Sequence, residues 1–240
     1  MFNDFGHIAA TILAGLPATL AATVGGVLLT IPLSFAAGLA LLSKHRWVRF
    51  ISRVYVEGLR GTSEVVQLFW IYFVLPALIG FQLVPLWAGI LVLGLNHGAY
   101  GAEIVRGAVQ SVPQPQHEGA IALNLTATQR MWRVILPQAV VEMIPPFNNL
   151  FIQLMKSTAL LSFITVTEIA NQGEILRPQF GSQLLLIYLV ELVLYLLIAL
   201  LITAAMRLLE RITARNIGRR PIPRTGLLAR AIEPDVAGLS

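Results

Sequence analysis

Long apolar runs without a charge dominate the chain. No Asp, Glu, Lys or Arg occurs in the 39 residues from Phe5 to Ser43 or in the 38 from Val65 to Ala102. A bilayer-spanning helix needs about 20 residues. The first run exceeds one span but is too short for two with a turn. It predicts one long helix over about Leu16–Leu42 behind an outer segment, with Pro17 in its first turn and a kink at Pro32. Pro76 and Gly80–Pro85 interrupt the second run, so it predicts two helices, about Arg60–Ile79 and Leu86–Val105. A fourth is predicted over about Val140–Leu161, containing Glu142 and Lys156. A fifth covers about Gln183–Met206 and contains Glu191. The predicted fold class is an all-α membrane protein with about five transmembrane helices.

Charge placement gives this layout an orientation, because cytoplasmic loops are enriched in Lys and Arg. Fifteen of the 17 basic residues fall in three segments: Lys44–Arg60, Arg106–Arg133 and Arg207–Arg230. Five spans put all three on one side, with the N-terminus outside and the C-terminus cytoplasmic. The start of the chain has no basic stretch ahead of its apolar residues and is not expected to be a cleaved signal. Residues 1–220 read as one transmembrane domain and 221–240 as a cytoplasmic tail expected to be poorly ordered. A basic tail behind a membrane span reads as an anchor to the inside face, so no nucleic-acid partner is expected.

Composition narrows the chemistry. Only 12% of residues are charged, against about 25% in soluble domains, and mean hydropathy is +0.75. A water-soluble globule is excluded. The chain has no cysteine, which removes thiol catalysis, disulfides and Cys-held metals. Its four histidines, His7, His45, His97 and His117, are scattered, and no metal site is expected. The phosphate-cradling sequence G-x-x-x-x-G-K-[ST] does not occur, and no nucleophile–base set declares itself.

The most structured polar segment is Ser111–Pro137, SVPQPQHEGAIALNLTATQRMWRVILP. Ser111–Gln114 and Thr126–Gln129 both fit a capping box. Between them Asn124 tolerates the left-handed backbone that ends one helix and turns into the next. A helix–turn–helix hairpin is predicted, whose first helix presents an apolar knob with Ala120 and Leu123 and carries Glu118. Two readings stand on these residues alone: an amphipathic hairpin lying on lipid, or a docking element for a soluble partner.

The same segment resembles the EAA loop of ABC-importer permeases, E-A-A-x3-G-x9-I-x-L-P. Glu118, Gly119, Ala120, Asn124, Val134, Leu136 and Pro137 fall at its positions with the spacing intact. Gly119 stands for Ala, Asn124 for Gly and Val134 for Ile. Gly119 is expected to weaken its helix by up to ~1 kcal/mol. Arg60-Gly-Thr-Ser-Glu-Val-Val-Gln-Leu-Phe-Trp-Ile-Tyr-Phe, Ala99-Tyr-Gly-Ala-Glu-Ile-Val-Arg-Gly and Lys156-Ser-Thr-Ala-Leu-Leu-Ser are similar to segments of the permeases for histidine, glutamate, glutamine, arginine and opines. Ser63 and Ala159 depart from that group's usual Pro and Ser. The resemblance covers about Leu16–Leu209. It implies a permease subunit of an ATP-driven importer in the bacterial inner membrane, translocating a polar amino acid or a similar small zwitterion, with compatible solutes such as ectoine also fitting. It implies four kinds of partner: ATP-binding cassette ATPase subunits, a second identical or homologous permease, an extracytoplasmic solute-binding protein and membrane lipid. ATP and magnesium would belong to the ATPase, and this chain would carry no cofactor and catalyse no reaction. A self-sufficient carrier or channel is the alternative; the docking hairpin and the absence of a visible inverted repeat count against it.

Polar residues inside the spans form stripes. Asn96, Tyr100 and Glu103 share one helical face, and Glu142, Asn149, Gln153 and Lys156 share another. The stripes read either as a translocation path or as interhelical hydrogen bonding. For Glu103, pairing with Arg106 is an equal reading. Glu191 is expected to face either the polar interior or a partner. Pro145-Pro146 are expected to break the start of the fourth helix.

Overall fold

A computed structural model of the protein describes residues 2–216. The tail 221–240 and the basic residues Arg219, Arg220, Arg224 and Arg230 lie outside the described residues. The helices are α1 (Phe2–Leu13), α2 (Leu16–Leu41), α3 (Arg46–Arg60), α4 (Glu64–Phe69), α5 (Leu75–Ile79), α6 (Pro85–Gln110), α7 (Gln114–Ala122), α8 (Ala127–Arg130), α9 (Leu136–Ser157), α10 (Ile169–Leu176) and α11 (Leu184–Asn216). No strand occurs among the described residues. By length and apolarity, the runs Phe5–Leu41 and Gly181–Ala214 can each cross a membrane as one helix. Arg46–Ile79 and Ala127–Leu176 qualify as bent pairs, turning by 103° and 48° at their breaks.

The most extensive helix–helix contact is α2 against α6. The two approach to backbone distance because glycines face the contact. A Cβ on Gly38 would sit 2.7 Å from the Ala102 carbonyl oxygen, and one on Gly94 would sit 2.6 Å from Leu29. Small facing residues are how helices associate in lipid, where apolar side chains gain nothing by leaving the hydrocarbon. α9 packs on α6 alongside α2, and the shared apolar cluster runs through Val105, Val109, Met143, Phe147 and Leu150.

Two predicted features are corrected. The basic segment after α2 is not a loop but α3, and α3 climbs beside α6. Tyr55 donates to the Leu95 carbonyl at 2.8 Å, and Val56 is buried with Ala37 and Ala102. Arg60, counted with the inside-facing bases, is thereby carried to Tyr100 near the middle of α6. Pro145 and Pro146 do not break α9, which runs through them. They withhold two N–H groups from the preceding turn, but buried Met143, Ile144 and Phe147 hold that turn in place. Pro32, where a kink is expected, likewise lies within one helix, α2.

Prolines do act on the backbone elsewhere. Trp70–Val74 and Met131–Ile135 are π turns, each followed two residues later by a proline, Pro76 and Pro137. A proline ring clashes with the carbonyl four residues back, and a widened turn relieves that clash. The Leu75 and Leu136 amides reach back five residues, to Trp70 and Met131.

Glu191 points into the protein. Its Oε1 is buried over Gly173 of α10. Nearby Glu168, fully buried, caps α10 by accepting from the Ala170 and Asn171 amides and from the Tyr195 hydroxyl.

The α2–α6 contact makes a direct prediction. Gly38→Val would drive a branched side chain into the Ala102 carbonyl, an overpacking cost of about 1–3 kcal/mol. The expected outcome is less folded protein recovered from membranes by detergent extraction and size-exclusion chromatography. Gly107→Val, at a position with no neighbour within 4 Å of a Cβ, is the matched control.

Candidate functional site

Two features stand out from the scaffold: an open groove between α6 and α9 that mixes apolar surface with a few polar side chains, and the α7–α8 hairpin. The groove has a volume of about 410 Å³ and is lined by Arg60, Tyr100, Glu103, Ile104, Pro146, Asn149, Leu150 and Gln153. The α9 stripe is a continuous face: Glu142, Asn149, Gln153 and Lys156 are all exposed in the single chain. At 1.5 Å per residue, this face spans about 21 Å of helix. Its parts lie in different places. Asn149 and Gln153 line the groove, Glu142 lines a cleft with Ser111, Val112, Pro113 and Gln138 at the hairpin base, and Lys156 lies in the last turn of α9.

The α6 stripe divides. Tyr100 and Glu103 reach the groove. Asn96 does not: it is 4% exposed, and its amide donates to the Leu59 carbonyl at 3.2 Å and to Gln67 at 3.1 Å. It holds the corner between α3 and α4, which is the interhelical reading of that residue. Gln67 completes the corner by donating to the Leu59 carbonyl and to Thr62 Oγ1, both at 2.7 Å. Beside it, Ser157 donates to Glu64 at 2.9 Å, and His97 Nδ1 lies 3.4 Å from the other Glu64 oxygen. This second cluster ties α4, α6 and α9 together. Sequence reasoning missed it because only the fold brings the three residues into contact. Glu103 is paired with Arg106, whose Nη2 and Nε lie 2.6 and 2.8 Å from Oε2.

The hairpin forms where predicted, with one of its two capping boxes. Thr126 and Gln129 cap each other's backbones reciprocally. Ser111 instead ends α6, donating its hydroxyl to the Ala108 carbonyl. Pro113 occupies the N-cap of α7 and has no hydroxyl to offer. Asn124 has φ 55°. The Asn124 amide donates to the Ile121 carbonyl and the Leu125 amide to that of Ala120, which is the paired pattern of a Schellman turn. Ala120 is corrected: it is 3% exposed and packs inside the hairpin. The apolar surface presented outward is Ile121, Leu123 and Trp132. Glu118 and Gly119 are exposed beside it. Val134 is half-buried, Leu136 is core and Pro137 sits in the first turn of α9. Among the described residues no cluster of His, Cys, Asp or Glu could hold a metal ion.

Asn124 gives a test of the turn. Asn124→Gly should preserve the hairpin. Asn124→Val should cost about 1–2 kcal/mol, the penalty of left-handed backbone at a residue with a branched Cβ. Limited proteolysis of the purified protein should then cut the Val variant, and not the Gly variant, within the hairpin.

Residues 30–215 match the family model described as the inner membrane component of binding-protein-dependent transport systems. The chain is 46% identical over 192 residues to a probable amino-acid ABC transporter permease of Sinorhizobium fredii, covering 78% of this chain and 80% of that one. It is 36% identical over 206 residues to the L-cystine transport system permease protein TcyB of Bacillus subtilis, covering 81% and 88%. A crystal structure of an amino acid ABC transporter with histidines superposes with a TM-score of 0.79 at 28% identity, over 88% of this chain and 98% of that chain.

Proposed function

The chain belongs to the family of binding-protein-dependent transport system inner membrane components, and on that premise we propose that its α6–α9 groove is the path an amino acid takes through the membrane. It is a permease subunit of an amino-acid ABC importer and is not itself an enzyme. ATP hydrolysis and substrate capture belong to an ATPase and a solute-binding protein, with ATP and magnesium on the ATPase. The observation that carries the groove reading is the exposed polar face of α9. Such a face is costly against lipid and suits a water-lined cavity closed by a second permease, identical or homologous. The N-terminus outside and C-terminus inside is the arrangement that suits the basic segments. A self-sufficient carrier or channel is set aside because members of this family work with a binding protein. The relatives and the solved structure named above bear the names of amino acids, cystine and histidine among them, so the substrate class favoured here is an amino acid rather than a compatible solute.

The hairpin is the coupling element in this reading. Ile121, Leu123 and Trp132 form a small apolar surface that fits a cleft on the ATPase, with Glu118 and Gly119 beside it. Asn124, Val134, Leu136 and Pro137 hold its shape, and buried Ala120 supports it from within. An Ala120 substitution would test the hairpin's own packing, so docking is better tested at Leu123.

Two variants of the reconstituted assembly separate path from docking. Gln153→Leu should lower uptake of the transported amino acid by about tenfold or more, the loss of a hydrogen bond to a charged group, with the ATPase still co-purifying. Leu123→Arg should remove about 2 kcal/mol or more of docking energy, as for a central contact, and release the ATPase while leaving permease levels unchanged. Unaltered uptake in the first would return the α9 stripe to helix packing. Retained ATPase in the second would remove the hairpin as the docking element.

A further inference from the structure

Arg60 ends α3 and is exposed. Its guanidinium carbon lies over the Tyr100 ring, 5.1 Å from the centroid. Tyr100 is ten residues from the end of α6, or about 15 Å along the axis. An ionised side chain beside a helix expected to cross the membrane usually faces a cavity or substrate path. Arg60 does face one, since it lines the groove together with Tyr100, Asn149 and Gln153.

The charge balance around it is one-sided. Among the described residues no carboxylate is paired with Arg60. The one acid on the groove wall, Glu103, is held by Arg106 at 2.6 Å. Across the groove, Asn149 and Gln153 are neutral amides. The groove therefore offers a guanidinium with no anionic partner, backed by an aromatic face, opposite two carbonyl oxygens able to accept from an ammonium. Guanidinium is the side chain best matched to a planar carboxylate, which it binds through two parallel N–H donors. The ring beneath favours the cation by its quadrupole.

The geometry points to Arg60, held over Tyr100, as the residue that receives the carboxylate of the transported amino acid, with Asn149 and Gln153 accepting from its ammonium group. This rests on the groove being the substrate path. It makes the groove selective for amino acids over amines of the same side chain. A purely structural role also has a clear signature. A positive charge at the end of α3 stabilises that helix's dipole, and a lysine would serve equally well.

The test is equilibrium binding to the permease–ATPase assembly in lipid nanodiscs without binding protein. The probes are radiolabelled L-histidine, L-arginine and L-glutamine, competed by histamine, agmatine and 4-aminobutanamide, which lack the carboxylate. The wild type should bind at least one of the acids well ahead of its amine. Arg60→Gln should weaken acid binding about 10- to 100-fold, the loss of a charge-assisted pair, and erase the preference over the amine. Arg60→Lys keeps the charge and the helix-end role. It should assemble with the ATPase and still lose part of the acid preference, so it decides the matter if Arg60→Gln does not assemble. Undiminished acid preference in either assembled variant overturns the assignment. Gln153→Leu is measured in parallel. If it weakens binding while Arg60→Gln does not, the path stands and the carboxylate role of Arg60 falls. If the wild type binds none of the acids, or neither substitution has any effect, both fall.

Discussion

The structure depends on how closely α2 and α6 approach. Helices in lipid gain no hydrophobic energy by meeting, so the contact must come from close van der Waals fit and interhelical polar bonds. Both are present. Gly38, Gly94 and Gly101 each leave room that a Cβ would fill. Ser34, fully buried on α2, donates to the Thr30 carbonyl at 2.7 Å and reaches the Gly98 carbonyl of α6 at 3.4 Å. Once α6 is fixed in this way, α3 leans on one side of it and α9 on the other. Along the one face of α6 that Asn96, Tyr100 and Glu103 share, height along the axis then decides the outcome: the α3–α4 corner covers Asn96, while Tyr100 and Glu103 enter the groove.

That division explains the break at Gly61–Ser63. A chain that turns by 103° inside a membrane exposes backbone polar groups that lipid cannot satisfy. Here the Leu59 carbonyl accepts from both Asn96 and Gln67, and Thr62 accepts from Gln67 as well. Asn96 is thus occupied with folding, which leaves the groove to residues whose polar atoms point outward. The link from groove to hairpin is equally physical. Val112, Ile135 and Leu136 at the hairpin base and Phe147, Leu150 and Phe151 beside the groove belong to one apolar cluster along α9. A displacement of the hairpin is therefore a displacement of the helix that carries Asn149 and Gln153.

Much of this was legible in the residues, and the failures have physical causes. The long apolar runs located α2, α6 and α9 to within about five residues and the start of α11, because apolar length survives any tertiary context; α11 continues ten residues past its expected end at Met206, to Asn216. Asn124 and Thr126–Gln129 were legible because turn and cap chemistry is local. The α3 helix was hidden by its charges: Arg46, Arg49 and Arg53 read as a loop, although Trp47, Phe50, Ile51 and Val54 alternate with them at helical spacing. The Ser111 box failed because Pro113 took the cap position. The burial of Ala120 and Asn96 could not be read at all, since both depend on which neighbour covers them. The glycine contact did leave a sign, the spacing Gly94-x-x-x-Gly98, a known mark of close helix approach.

The two exposed helical faces of the single chain argue for where each belongs. On α11, Leu185, Leu189, Leu192, Leu196 and Leu200 are 52–84% exposed at spacings of three and four, forming an unbroken apolar stripe. Facing hydrocarbon costs such a stripe nothing. On α9, the exposed positions at the same kind of spacing are Glu142, Pro146, Asn149, Gln153 and Lys156. Asn149 and Gln153 each carry an amide that hydrocarbon would leave unsatisfied, at a cost of several kcal/mol per group. One chain therefore has a face made for lipid and a face that lipid would destabilise. The amide face is stable only against water or against protein that supplies hydrogen bonds. Because it shares a groove with Arg60 and Tyr100, the space it turns toward is also the space in which a small charged solute would lose least on leaving water.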